Sequence, residues 1–197
     1  IQDWSRSVCA RYHGTELIYV VYEPMHVRPY YSVALGGAGA SGYDWILQAF
    51  VWARIYCPNS LLLLTDYNTI EYKNESDAFI KMVGALLAAG APIDALGADG
   101  VDAPKISTSA LKSYINKLAA LGLPLYITAY GVAEEDDAKQ LAIMKEQFPL
   151  FWTDESIKGI TFWGYVVGDT WRRGLGLVSP EGTPRPAMTW LMSYLGR

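Results

Sequence analysis

Cysteine and histidine are scarce in this 197-residue sequence, with two of each. Two cysteines make no disulfide framework, and Cys9 and Cys57 lack metal-ligand spacing, so the sequence predicts no metal site and favours two buried thiols over a single bridge. His13 and His26 have no serine or cysteine at a spacing that suggests a nucleophile–base pair. Basic residues are few as well: 16 Lys and Arg face 20 Asp and Glu, for a net charge of −4. With no arginine-rich helix either, there is no electrostatic footprint for nucleic acid. Long apolar runs are missing: stretches such as Leu61 to Leu64 fall far short of the roughly 18 residues a membrane helix needs, which excludes a membrane partner. No basic, apolar leader opens the chain at Ile1, so any export signal is expected to be absent or already removed. Phenylalanine, at 5, is outnumbered by 7 Trp and 14 Tyr, and such amphipathic rings favour contact surfaces over pure core. What is abundant is apolar material, 51% of the residues, enough for a sizeable core in a soluble globular chain.

Short apolar runs recur between helical stretches. Leu17 to Val21, Leu61 to Thr65, Ile93 to Gly97, Leu123 to Thr128 and Gly159 to Phe162 are apolar on both faces, as strands buried on both sides are. Asp3 to Tyr12 precedes them as a helix, and Tyr43 to Tyr56, Ser76 to Ala89, Ser107 to Leu121, Glu134 to Phe148 and Arg185 to Leu195 alternate with them. Gly90, Gly122 and Gly196 stand where helices stop, Ser76 and Ser107 where caps start. The acidic run Glu134 to Asp137 reads as a solvated helix start, and His13 as a favourable charge at a helix end. The pattern α(βα)₅ implies parallel strands joined by right-handed crossovers. No Gly-rich dinucleotide fingerprint follows the first strand, which favours a barrel over a nucleotide-binding sheet. A complete eight-stranded barrel takes around 250 residues, so five strands leave three missing. The long segment Pro24 to Gly42 reads as a functional loop.

In a barrel, chemistry projects from the carboxyl ends of the strands. The residues there are Tyr22 and Glu23, Thr65 to Asn68, Asp99 to Val101, Ala129 to Gly131, and Trp163 to Trp171. With Val20-Val21-Tyr22-Glu23-Pro24, Asp66-Tyr67-Asn68, Pro92 to Gly97, Gly122-Leu123-Pro124 with Ile127-Thr128, Gly159 to Gly164, Thr170-Trp171-Arg172 and Arg185-Pro186-Ala187 in collinear order, the chain resembles glycoside hydrolase family 10. Those proteins are retaining endo-β-1,4-xylanases on an α/β, (β/α)₈ TIM-barrel fold. The resemblance implies that residues 1–197 form one domain, the C-terminal part of the barrel carrying strands 4 to 8. The remaining strands would then come from another segment or chain.

The departures from the family fall in one place. Retaining glycosidases need two carboxyl groups about 5 to 5.5 Å apart. Glu23 matches the family's acid/base, but where the family has its nucleophile Glu this chain reads Thr128-Ala129-Tyr130-Gly131. Tyr22 and Thr65 stand where Asn is usual, Asn68 is kept, Asp99 and Val101 replace a Gln and His pair, and Tyr19 often corresponds to Asp. Trp163 and Trp171 match the family's sugar platforms, and Tyr130 is expected beside them as pocket lining. The strand bodies and helix signals stay family-like. Replacing Asn, His and Glu by Tyr, Val and Ala removes hydrogen bonds to hydroxyl groups and suits a flatter, less polar ligand.

The leading reading is therefore a xylanase-like scaffold whose sugar site has been rewritten, as in an engineered enzyme or binder. Glu23 and Asp99 are its candidate catalytic carboxyls, an aromatic or apolar small molecule its ligand, and it needs no cofactor or metal. Asp99 alternatively serves only as a turn former. No lysine sits at a strand end for Schiff-base chemistry. Two other readings stand beside it: a non-catalytic xylan-binding relative, and an ordinary xylanase acting on xylo-oligosaccharide. A natural xylanase parent implies secretion.

Overall fold

The computed structural model describes residues 1–197, and its strands lie in one parallel sheet in sequence order. They are β1 (Leu17–Tyr22), β2 (Leu61–Tyr67), β3 (Ala95–Asp99), β4 (Leu125–Tyr130) and β5 (Ile157–Phe162). The helices are α1 (Gln2–Arg11), α2 (Asp44–Tyr56), α3 (Lys73–Ala88), α4 (Thr108–Ala119), α5 (Asp137–Thr153) and α6 (Pro186–Tyr194). Every strand is followed by a helix, which is the βα alternation of the sequence. β1 and β5 are the sheet's two edges, as expected if the neighbouring barrel strands are supplied from elsewhere.

Alternation along the strands sorts the residues into two layers. Leu62 and Leu64 of β2, Leu96 and Ala98 of β3, and Leu125 and Ile127 of β4 join Phe50, Phe79, Met82, Leu111 and Phe148 from the helices in one apolar core. The opposite face carries Thr65, Asp99 and Thr128, which meet one another there. Gly97 lies between them on β3: a Cβ at this position would come within 2.4 Å of the Thr65 hydroxyl and 2.8 Å of the Thr128 methyl. The absent side chain leaves the space in which the two threonines touch.

Caps and ends differ from the sequence reading in detail. Ser107 caps α4, accepting from the Ala110 N–H at 3.3 Å. Ser76 caps nothing: α3 begins at Lys73, and Ser76 is fully buried inside it. α5 starts later than expected, behind Asp136, which accepts from the Lys139 N–H at 3.0 Å. The long loop before α2 folds into a 3₁₀ turn at Tyr30–Leu35.

The cysteines correct an expectation. Cys9 of α1 and Cys57 at the end of α2 are joined in a disulfide with a Cα–Cα distance of 5.3 Å, not left as two thiols. The reason is tertiary: α1 packs against α2, which brings together residues 48 positions apart. Beside this bridge, an apolar groove of ≈ 520 Å³ runs along the β1 edge, walled by Trp4, Val8, Ile18, Val20 and Trp52.

Candidate active site

At the carboxyl ends of the strands an open cleft of ≈ 560 Å³ gathers Tyr22, Glu23, Tyr67, Asn68, Asp99, Val101, Asp102, Ala129, Trp163, Trp171 and Arg172. The two tryptophans are 47% and 60% exposed, so they belong to the cleft surface and not to the core. Asp99 is 3% exposed and closely held. Its Oδ2 accepts from the Tyr22 hydroxyl at 2.8 Å. Its Oδ1 accepts from Thr128 Oγ1 and, at 3.4 Å, from Thr65 Oγ1. The threonine hydroxyls are themselves 2.8 Å apart. Donors on both oxygens orient this buried carboxyl without an ion pair. Burial and the adjoining Asp99 carboxylate push the Tyr22 hydroxyl well above the ordinary tyrosine range.

Glu23 follows the end of β1 in a left-handed conformation, φ 53°. Burial raises its carboxyl, the neighbouring Asp99 charge raises it further, and the Tyr22 hydroxyl opposes both. Asp66, which lies next to this turn with a fully buried side chain, accepts from the backbone N–H of Met25 at 2.8 Å and of Tyr67 at 2.9 Å. His26 Nδ1 lies 2.6 Å from the same carboxylate. The imidazole stacks on the Tyr67 ring at 3.6 Å, and its Nε2 is 3.4 Å from Glu75.

The third carboxylate of the cleft lining, Asp102, is ion-paired. Burial alone would raise it, but Lys105 at 2.8 Å, Arg172 at 2.9 Å and the Tyr72 hydroxyl at 3.1 Å bring it below the ordinary range. Arg172 also lies over the Trp171 ring at 4.4 Å, fixing that wall of the cleft.

Glu23, Tyr22, Asn68, Asp99, Val101, Ala129, Trp163 and Trp171 thus come together at one cleft. Thr65 is fully buried behind Asp99 and not part of the lining. Tyr19, also read as a binding residue, faces Tyr22 edge-on at 6.4 Å but does not line the cleft. Tyr130 departs further from its expected place. It is fully buried, with its ring against Phe151 and Phe162 and its hydroxyl donating to Gln147 of α5 at 3.4 Å. It therefore belongs to the helix-side core. Sequence reasoning passed over Thr128, Asp102 and Arg172, and took Tyr67 as a strand-end position without a role. Thr128, Tyr67 and Arg172 lie inside motifs quoted above, so their nearness to the strand ends was the available signal.

Parallel βα units in sequence order, with a cleft at the carboxyl ends of the strands, define a class by fold, the (β/α)₈ barrels, here as a partial barrel. Within it the chain belongs to Glycosyl hydrolase family 10, whose sequence profile matches residues 1–194. It is 40% identical over 200 residues to "Endo-1,4-beta-xylanase B" of Cellvibrio japonicus, an alignment covering 100% of this chain and 32% of that protein. It also superimposes on the crystal structure of xylanase 10B from Thermotoga petrophila RKU-1 in complex with xylobiose. There the TM-score is 0.80 at 22% identity, over 99% of this chain and 64% of that one. For the GH10 structure from Paenibacillus barcinonensis the TM-score is 0.81 at 20% identity, over 99% and 66%. The chain therefore spans about a third of the first relative and about two thirds of the structural ones.

Proposed function

We propose that residues 1–197 act as one domain, the C-terminal part of a family 10 barrel, whose sugar-cleaving site has been rewritten by design or by evolution to hold a flat, weakly polar ligand. The ligand lies against Trp163 and Trp171. Asp99 is the general base that takes a proton from it, and Glu23 is the acid that returns one. The observation that carries this reading is the pairing of Ala129 with Asp99. The β4 end offers the cleft a methyl group, while the one deeply buried carboxylate lining the cleft sits on the neighbouring strand in a cradle of three hydroxyl groups. A general base works when it is oriented and within hydrogen-bond reach of the proton, and that cradle supplies the orientation. A retaining glycosidase instead needs a second carboxylate placed to form a covalent glycosyl bond, and the matching position at the end of β4 carries Ala129.

A second reading keeps the family's own substrate. Glu23 stands in the matching motif and the relatives above are xylanases, so the chain, completed by its missing strands, would bind xylo-oligosaccharide, either as an ordinary endo-xylanase or as a non-catalytic binder. One titration separates the readings. Tryptophan fluorescence of the assembled barrel is followed against xylo-oligosaccharides and against a flat aromatic ligand, with xylan turnover assayed in parallel. The rewritten site responds to the aromatic ligand, turns over xylan poorly or not at all, and is not rescued by Ala129→Glu, because the Asn and His contacts to sugar are absent as well. Robust xylan hydrolysis would refute it and restore the ordinary xylanase.

A further inference from the structure

The turn that carries Glu23 has an unusual conformation and an unusual set of supports. A non-glycine residue at φ 53° persists only where its surroundings over-determine it. Here the Glu23 N–H donates to the Thr65 carbonyl at 2.9 Å, and the Glu23 carbonyl accepts from the N–H groups of Val27 at 2.8 Å and His26 at 3.1 Å. Asp66 then fastens the turn to β2. Its Oδ2 takes the Met25 N–H, and its Oδ1 lies against His26 Nδ1. The imidazole closes the arrangement from above, flat on Tyr67 at an interplanar angle of 18°. Tyr67 is itself a wall of the cleft. One side chain therefore touches both the strap that fixes the turn and the surface beside the carboxyl.

We propose that His26 is a positioning residue for Glu23, acting through the buried Asp66 carboxylate to hold the cleft carboxyl in its left-handed turn, an inference that rests on the reading of Glu23 as the cleft's acid. An ionised carboxylate only accepts, so the ring nitrogen at Asp66 is the one that donates. Without the ring, Asp66 Oδ1 keeps only the Tyr67 N–H, Tyr67 loses its stacking partner, and the turn is tied to β2 by the Met25 N–H and the Glu23–Thr65 backbone bond alone. The groups that face Glu23 are Tyr22 on β1, Asp66 and Tyr67 on β2, Asp99 on β3 and His26 in its own turn; Glu75 faces the far side of the imidazole. Burial is the largest cause holding Glu23 above the ordinary glutamate range, with the His26 charge among the smaller opposing ones, so a Glu23 released from the strap swings toward water and ionises more readily.

The test is carboxyl NMR of isotopically labelled glutamate in the assembled barrel, following Glu23 through a pH titration. His26→Ala is expected to lower the Glu23 titration toward the ordinary glutamate range, by roughly threefold or more in the ionisation constant. His26→Asn, whose amide nitrogen reaches the place of Nδ1, restores it, and His26→Gln, whose nitrogen reaches the place of Nε2, does not. His13→Ala, at the opposite end of the strands, leaves it unchanged. An unmoved titration in His26→Ala overturns the proposal. So does an upward shift, which marks a through-space charge effect in place of a strap, and so does an Asn variant no better than Gln. Should the alanine variant fail to fold, the contrast between Asn and Gln still decides. The readout needs neither ligand nor turnover, so it fails independently of the reaction assigned to the cleft.

Discussion

Glu71 is the most expensive carboxyl in the protein to ionise. It is 3% exposed, its Oε2 accepts the Ile70 N–H at 3.2 Å, and its Oε1 has no partner. Burial is the dominant cause and pushes the group up to about 8; backbone donors at Ile70 and Asp102 oppose it, and the nearby carboxylates of Asp102 and Asp99 add to it. In the unfolded chain the same group ionises near 4.5. Between those two values the folded state holds one proton more than the unfolded state, so stability falls as pH rises, by about 1.4 kcal/mol per unit. The contribution is complete below about 4.5, and by about pH 8 the loss is on the order of 5 kcal/mol, a large share of a typical domain's stability. Glu71→Gln keeps the shape and cannot ionise. Urea unfolding of the assembled barrel at fixed pH values from 4 to 8.5, run on both proteins, isolates the effect, since groups that titrate independently cancel in the difference. The variant is expected to match the parent near pH 4 and to exceed it progressively toward pH 8. A gap that stays constant across the range would show that Glu71 is already ionised in the fold, and the reasoning from its burial would be wrong.

Two further perturbations test the architecture. The Cys9–Cys57 bridge spans 48 residues, a loop for which chain-entropy arguments give about 4 kcal/mol, so the double Cys→Ser variant should lose about that much in urea unfolding; an unchanged midpoint refutes a stabilising bridge. The isolated 197-residue chain leaves the β1 and β5 edges unpaired, and light scattering should find it associated or aggregated until the missing (β/α)₃ portion is added. A cooperative, well-folded monomer would show that it needs no partner strands.

The α/β alternation was legible because each strand carries an apolar core-facing row and each helix a core-facing stripe, signals set by periodicity alone. The strand ends were less so. β2 runs on through Thr65, Asp66 and Tyr67, and β3 ends on Asp99 itself, because these polar side chains are satisfied by one another and by the Glu23 turn. A reading that stops a strand at its last apolar residue therefore stops short at the site. The disulfide was illegible for a different reason, since it depends on how α1 packs against α2 and not on any spacing.

Tyr130 and Tyr19 show where pattern reading fails at the cleft itself, and why. With Leu125 and Ile127 in the helix-side core, strict alternation puts Ala129 in that core and Tyr130 in the pocket. The pairing of β4 with β5 instead shifts register between Ile127 and Tyr130, and the shift exchanges the two: Ala129 reaches the cleft and Tyr130 turns to Phe151 and Gln147. β1 carries the same device between Tyr19 and Val21. There Val21 enters the core while Tyr19 and Tyr22 stay within edge-on contact of each other. A bulge re-aims the residues around and beyond it, and these two lie where the strands reach the cleft, next to Tyr22 and Glu23 on one strand and around Ala129 on the other. Identity at those positions could be read from a motif, but which way each side chain points is decided by hydrogen bonds to the neighbouring strand, and no residue of the strand itself records that.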